Sequence, residues 1–200
     1  MYGFGEGASS SSNRLLGINT LYESSAFSVG FGHNTQKNSA GQRALRTPLV
    51  GESATQSGWT LSDMVARIED PNPSSGPELA AGLAGAGVPA PLVASVLDRL
   101  KQDANLMHIG LRYDLGAASQ VTMAYTKLND KRATNADTAS YGVAHTYPLS
   151  KRTNLSAVLT RFSNSGTGQA APGGAGYLGG VTSVAGQDAT SIALGVRHTF

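Results

Sequence analysis

Cysteine is absent from the 200 residues. That excludes a disulfide framework and thiolate metal sites, and it suits an oxidising compartment in which no bridges are needed. No apolar run approaches the roughly 20 residues of a membrane-spanning helix, so helical anchorage is excluded. The apolar supply as a whole is thin, at 40% hydrophobic residues with a mean hydropathy of -0.15. A one-signed charge excess is missing too: 15 basic and 13 acidic residues leave +2. With no basic stripe interleaved with aromatics, a nucleic-acid partner is not indicated. The opening MYGFGEGASSSSNR has neither a basic n-region nor an apolar h-region, so it does not read as a secretory signal.

What the chain does have is alternation. The length suits a single domain over 1–200. In its last stretch, ATSIALGVRHTF, residues Ile192, Leu194, Val196, His198 and Phe200 fall on one side of an extended chain and Ser191, Ala193, Gly195, Arg197 and Thr199 on the other. Leu16, Ile18, Thr20 and Tyr22 oppose Leu15, Gly17, Asn19 and Leu21; after a turn at Glu23 to Ala26, Phe27, Val29, Phe31 and His33 oppose Ser28, Gly30, Gly32 and Asn34. The pattern returns with Met107, Ile109, Leu111 and Tyr113 against His108, Gly110, Arg112 and Asp114. It continues with Val121, Met123 and Tyr125 against Thr122, Ala124 and Thr126, and with Tyr141, Val143, His145 and Tyr147 against Ser140, Gly142, Ala144 and Thr146. A further strand follows over Leu155 to Phe162, with Leu155, Ala157 and Leu159 on the outer side, which makes about seven strands.

Between them lies a long excursion, residues 37–104, that holds most of the prolines and the only tryptophan, Trp59. Two short helices are expected inside it. Leu61, Met64, Val65 and Ile68 recur at helical spacing, and Leu92, Val93, Val96 and Leu100 do nearly the same behind Pro91, a residue suited to a first helical turn. The segment EDPNPSSGP around Pro71 to Pro77 reads as loop.

The connections carry the argument from sheet to membrane. Turns at Glu23 to Ala26, Leu115 to Gln120 and Pro148 to Thr153 are short, whereas those at Thr35 to Ala104, Lys127 to Asp137 and Ser163 to Asp188 are long and rich in small and polar residues. Strict alternation of short and long connections is expected of an antiparallel transmembrane β-barrel. A negative mean hydropathy does not oppose this, because lipid-facing and lumen-facing residues cancel in any window. Tyr22, Phe27, Tyr113, Tyr147 and Phe200 all lie beside short turns or at the terminus, as an aromatic girdle on one rim requires.

Chemistry is sparse. GFGEG at Gly3 to Gly7 follows no strand and opens no helix, so it does not make a phosphate loop. His33, His108, His145 and His198 lie on different strands without a zinc spacing, no GxSxG elbow occurs, and the Asn154-Leu155-Ser156 sequon sits in a strand. No catalytic set, metal site or cofactor is read from these residues. In a channel, the non-lipid face would carry Asn19, Asn34, His108, Arg112, Asp114, Thr122 and Arg197, with Arg112 and Arg197 favouring anions. On a wet sheet face the same residues would be ordinary solvated side chains. His145 and His198 fall on the lipid side near the rim.

YGFGE with its Gly/Ser-rich sequel, the hairpin YESSAFSVGFGHN, the run YGVAHTYPLSKRTNLSA and the closing GVRHTF together resemble the general trimeric porins of Gram-negative bacteria, in particular the β-proteobacterial type. The resemblance implies a barrel of about 16 strands, a homotrimer in outer-membrane lipid, and diffusion of small hydrophilic solutes. It also implies that Phe200 serves as a membrane-insertion signal read by the barrel-assembly machinery. Seven or eight strands would be the C-terminal half of such a barrel, the signal peptide and the loop that folds into the lumen belonging to the other half. An outer-membrane barrel enzyme of lipase or protease type and a soluble β-barrel ligand-binding protein remain as alternatives.

Overall fold

A computed structural model of the chain describes residues 2–3, 11–116, 119–173 and 180–200. The GFGEG stretch beyond Gly3, the middle of the turn at Leu115 to Gln120 and residues 174–179 of the last long connection lie outside the described residues. The elements are β1 (Tyr2–Gly3), β2 (Leu15–Glu23), β3 (Phe27–Lys37), β4 (Arg43–Gln56), β5 (Trp59–Asp70), α1 (Gly76–Gly85), α2 (Ala90–Leu100), β6 (Gln102–Gly116), β7 (Ser119–Asp130), β8 (Thr138–Ser150), β9 (Thr153–Asn164), β10 (Ala170–Ala171), β11 (Gly180–Val181) and β12 (Ala189–His198). Ten strands form one sheet in the order β1 to β9, then β12, while β10 and β11 pair separately. The principal sheet is not closed among the described residues, and β1 and β12 are its edges.

Two expectations need correction. The strand count exceeds seven because residues 37–104 are not one helical excursion: β4 and β5 form a hairpin inside it. Leu61, Met64, Val65 and Ile68, expected on a helix, lie in β5. Spacing at i, i+3, i+4 and i+7 places Leu61 and Val65 on one strand face and Met64 and Ile68 on the other, and pairing with neighbouring strands outweighs the helical pattern. Ser57 and Gly58, with φ of 50° and 83°, make the two-residue hairpin turn whose twist suits flanking strands. The helix expected behind Pro91 is present as α2. The second helix is α1 instead, opening on Gly76 and Pro77 with Glu78 in its first turn, at the end of the segment read as loop.

The inserted hairpin preserves the alternation of connections. Short ones span 24–26, 57–58 and 151–152, and the intervening ones span 38–42, 71–101, 131–137 and 165–188. By packing, the chain divides into two compact units. One is Met1–Leu21, Gly30–Val50 and Ala66–Asn105; the other is Tyr22–Val29, Gly51–Val65 and Leu106–Phe200.

Within the second unit, the ladders β7·β8, β8·β9 and β9·β12 are antiparallel and nearly regular. They align side chains in rows: Met123–Val143–Leu159–Ile192, then Val121–His145–Ala157–Leu194, on one face. On the other face run Thr122–Ala144–Val158–Ala193 and Ala124–Gly142–Thr160–Ser191. Bulky apolar groups thus segregate to one side and small or hydroxylated groups to the other. Within the first unit, α1 and α2 pack on each other and Val93 is buried.

A hydrophobic core is nearly missing. Among the described residues, Ala44, Val93 and Ala104 are the apolar side chains that are buried. Ile109, Met123, Val143 and Leu159 are exposed, and on the edge strand Ile192 and Leu194 reach 75% and 82% exposure. A water-soluble domain of this size buries large aliphatic residues to offset the entropy of ordering its chain. This sheet displays them.

Candidate transmembrane wall and its polar face

The polar face of the second unit is a run of hydroxyls around one arginine. Ser28 Oγ lies 2.9 Å from Ser53 Oγ, and Thr55 Oγ1 lies 3.0 Å from Thr60 Oγ1. Arg112 donates from Nη2 to Thr60 Oγ1 at 3.3 Å and places Nε 3.5 Å from Asp114 Oδ1. His108 Nδ1 is 2.7 Å from Thr126 Oγ1, and Ser62 Oγ donates to the Gly110 carbonyl at 3.4 Å. His108, Arg112 and Asp114 are therefore gathered on β6, facing β5 and β7. Thr122 lies on the same side in the row with Ala144, and Arg197 opposes Asn154 at the far end of β12, exposed. Asn19 and Asn34 are exposed strand residues of the other unit. Thr55, Thr60 and Ser62 escaped the sequence reading because they lie in the hairpin taken for loop.

The opposite face ends, beside the short turns, in aromatic pairs. Tyr22 and Phe27 have ring centroids 5.5 Å apart, Trp59 and Tyr113 4.1 Å, and His198 and Phe200 4.8 Å. Trp59 joins the residues expected for a girdle because the Ser57–Gly58 turn brings it to the same end as Tyr113. The two histidines on this face are each met by a hydroxyl: Ser119 Oγ is 3.0 Å from His145 Nε2, and Thr153 Oγ1 is 2.9 Å from His198 Nδ1. Such bonds give each imidazole a polar partner beside its apolar neighbours.

At the other end of the strands, each run that enters a longer connection finishes in a buried Asn or Asp: Asn38, Asp70, Asp130 and Asn164. Asn38 Oδ1 accepts the Gln42 amide at 2.9 Å. Asn164 donates from Nδ2 to the carbonyls of Ala170 and Gln187, at 2.8 and 2.7 Å. Asp130 lies beyond the last β7·β8 ladder pair, Leu128–Thr138. It accepts bonds from Arg132 Nε and Nη2, both at 2.9 Å, and from the Ala136 amide at 2.8 Å. The Arg132 guanidinium lowers the Asp130 carboxyl to about 2, against an opposing effect of burial and with help from the Ala136 and Arg132 amides. Asp188, in the last long connection, is also held below the ordinary range, first by the Asn164 amide and then by Arg161. Asn38, Asp130, Asn164 and Asp188 thus replace strand hydrogen bonds where the ladder stops.

An antiparallel sheet with its bulky apolar residues outside, a hydroxyl-lined opposite face and an aromatic rim is the wall of a transmembrane β-barrel. Residues 1–167 match the family model for Gram-negative porins, and the chain belongs to that family. No curated protein matches it. Among solved structures, the anion-selective porin from Comamonas acidovorans shares the fold with a TM-score of 0.73 at 19% identity, over 100% of this chain and 54% of that one. The chain thus spans about half the length of that porin. Membership of that family indicates the Gram-negative outer membrane.

Proposed function

We propose that this chain forms part of the wall of a passive outer-membrane channel for small hydrophilic solutes, with its hydroxyl-rich face toward the water. The outward display of Ile109, Met123, Val143, Leu159 and Leu194 on a sheet with almost no buried apolar residue carries the reading. It weighs against a soluble ligand-binding barrel, whose apolar residues would turn inward. Asn19, Asn34, His108, Arg112, Asp114, Thr122 and Arg197 line the aqueous side. Asp114 offsets part of the Arg112 field, so Arg197 supplies the less compensated positive charge and the preference is a weak one for anions. The anion selectivity in the neighbour's name accords with that sign.

The open edges β1 and β12 present unpaired backbone groups, which cannot face hydrocarbon. In the membrane further strands complete the wall, in a homotrimer delivered through recognition of β12 and Phe200 by the assembly machinery. No reaction is catalysed. The test is permeability of outer-membrane vesicles from cells that make the protein and cells that lack it. Faster entry of small sugars and anions is expected, with Arg112→Glu and Arg197→Glu lowering the anion-to-cation ratio. Unchanged permeability with the protein folded in those membranes would sink the proposal, and ester hydrolysis lost in Ser119→Ala would replace it with an enzyme.

A further inference from the structure

The outer face of the second unit carries, near the longer connections, a feature that diffusion through a wall does not use. Along consecutive ladders, Tyr125 opposes Tyr141 and Tyr141 opposes Arg161. The two rings lie 5.0 Å apart between centroids. Directly toward the short turns comes the apolar row Met123–Val143–Leu159, and toward the loops comes Lys127, opposite Ala139. Ala124 and Gly142 point to the polar side and leave little bulk between these rows. The result is a shallow groove of about 370 Å³ whose walls include Ile109, Met123, Tyr125, Tyr141 and Val143, with Arg161 at its loop end.

Arg161 is set in place by its neighbour. Its Nη2 donates to Asp188 Oδ2 at 2.9 Å, while the side chain remains 60% exposed and borders the groove. A tethered guanidinium retains donors on its other edge in a fixed fork that suits a phosphate. Tyr147 lies six positions beyond Tyr141 on β8, about 20 Å along the strand. The groove therefore runs from the loop-side edge of the apolar band into it. Apolar rows, then phenol rings, then a cation follow one another in the order of a lipid's acyl chain, glycerol region and phosphate.

We propose that this groove is a binding site for a phosphate-bearing lipid of the surrounding leaflet. Its acyl chain lies along Met123, Val143 and Leu159, and its phosphate is held by Arg161 with Lys127. The inference rests on the membrane-wall reading, and the test separates the two. The protein is taken from outer membranes of cells that make it, together with the strands that complete its wall, and transferred to phosphatidylcholine vesicles, and insertion is established by β-sheet circular dichroism and protection from protease. Spin-labelled phosphatidylglycerol and phosphatidylcholine are then compared for association with the inserted protein. A preference of roughly fivefold for phosphatidylglycerol is expected. It should fall to near parity in Arg161→Gln/Lys127→Gln and persist in Arg161→Lys and in Lys151→Gln/Arg152→Gln, which alters the turn at the opposite end. Insertion with equal association of both lipids overturns the site while leaving the wall intact. So does a preference that follows Lys151 and Arg152. Failure to insert overturns both.

Discussion

Trp59 stacks on Tyr113 across the β5–β6 boundary, ring centroids 4.1 Å apart and planes 29° from parallel. Both rings stand where strands meet short turns, and such amphipathic rings favour the membrane interface. The pair contributes about 1 kcal/mol beyond the area it covers. Trp59→Ala should lower folding stability in vesicles by at least that amount, and Trp59→Phe by less. Because Trp59 is the only tryptophan, its emission also reports depth. Lipids brominated near the headgroup should quench it more strongly than lipids brominated near the chain end. The reverse order would remove Trp59 from the rim.

The two-faced sheet makes a sharper demand. Val143 and Thr160 lie on adjacent, paired strands and on opposite faces, Val143 in the row with Leu159 and Thr160 in the row with Gly142. Val143→Arg should cost about 2 to 4 kcal/mol, the range for a cation on a lipid face near mid-depth. Thr160→Arg should cost less than about 1 kcal/mol, since its side chain meets water. Urea unfolding from vesicles measures both. Similar costs at the two positions would contradict the assignment of faces.

Why one part of this fold was legible and another was not comes down to what each strand packs against. Around Ile109, Val143 and Leu194, one face meets hydrocarbon and the other water, so period-two alternation is written plainly. In β4, Pro48 and Gly51 interrupt the alternation. In β5, Met64 and Ile68 lie on the polar face, so Leu61 to Ile68 imitates a helix. The better signal there was Ser57-Gly58, a pair suited to a hairpin turn. α2 was readable from Pro91 and its aliphatic spacing, whereas α1, GPELAAGLAG, offers few large apolar residues to repeat. On the polar face His108, Arg112 and Asp114 could be placed from alternation alone. Their partners Thr60, Ser62 and Thr126 required the strand register. The buried Asn38, Asp70, Asp130 and Asn164 had a sequence mark too, since each follows or closes an extended run, but alternation carries no information about what caps its end.

Asp130 gives a pH prediction. Its side chain is 2% exposed and its carboxylate gathers the Arg132 guanidinium and the amide of Ala136. The folded value, about 2, lies below the ordinary 3.8. Stabilisation of the 131–137 connection is therefore complete above about pH 4 and is lost as pH falls toward 2. Hydrogen exchange at the Ala136 amide should stay protected through neutral and mildly acidic pH. Asp130→Asn should open the connection at all pH values, weakening it by about 2 kcal/mol. Protection that fades already between pH 6 and 5 would point to a different titrating group.

The least comfortable residues on the outer face are two carboxylates. Alternation puts Asp63 on the side of Trp59, Leu61 and Val65. Ser53 shares the polar side with Ser28, which leaves its neighbour Glu52 outward on β4. Gly51 lies against the Asp63 backbone and the Met64 side chain, so the two strands run side by side here. A carboxylate among lipid-facing groups costs less than a cation at equal depth, yet the cost is unfavourable. Asp63→Leu should therefore stabilise the protein in vesicles by about 1 kcal/mol, and Glu52→Leu should act in the same direction, whereas Asp114→Leu on the polar face should not. Destabilisation by Asp63→Leu, measured by the same urea unfolding, would mean that this part of the outer face meets polar groups rather than acyl chains.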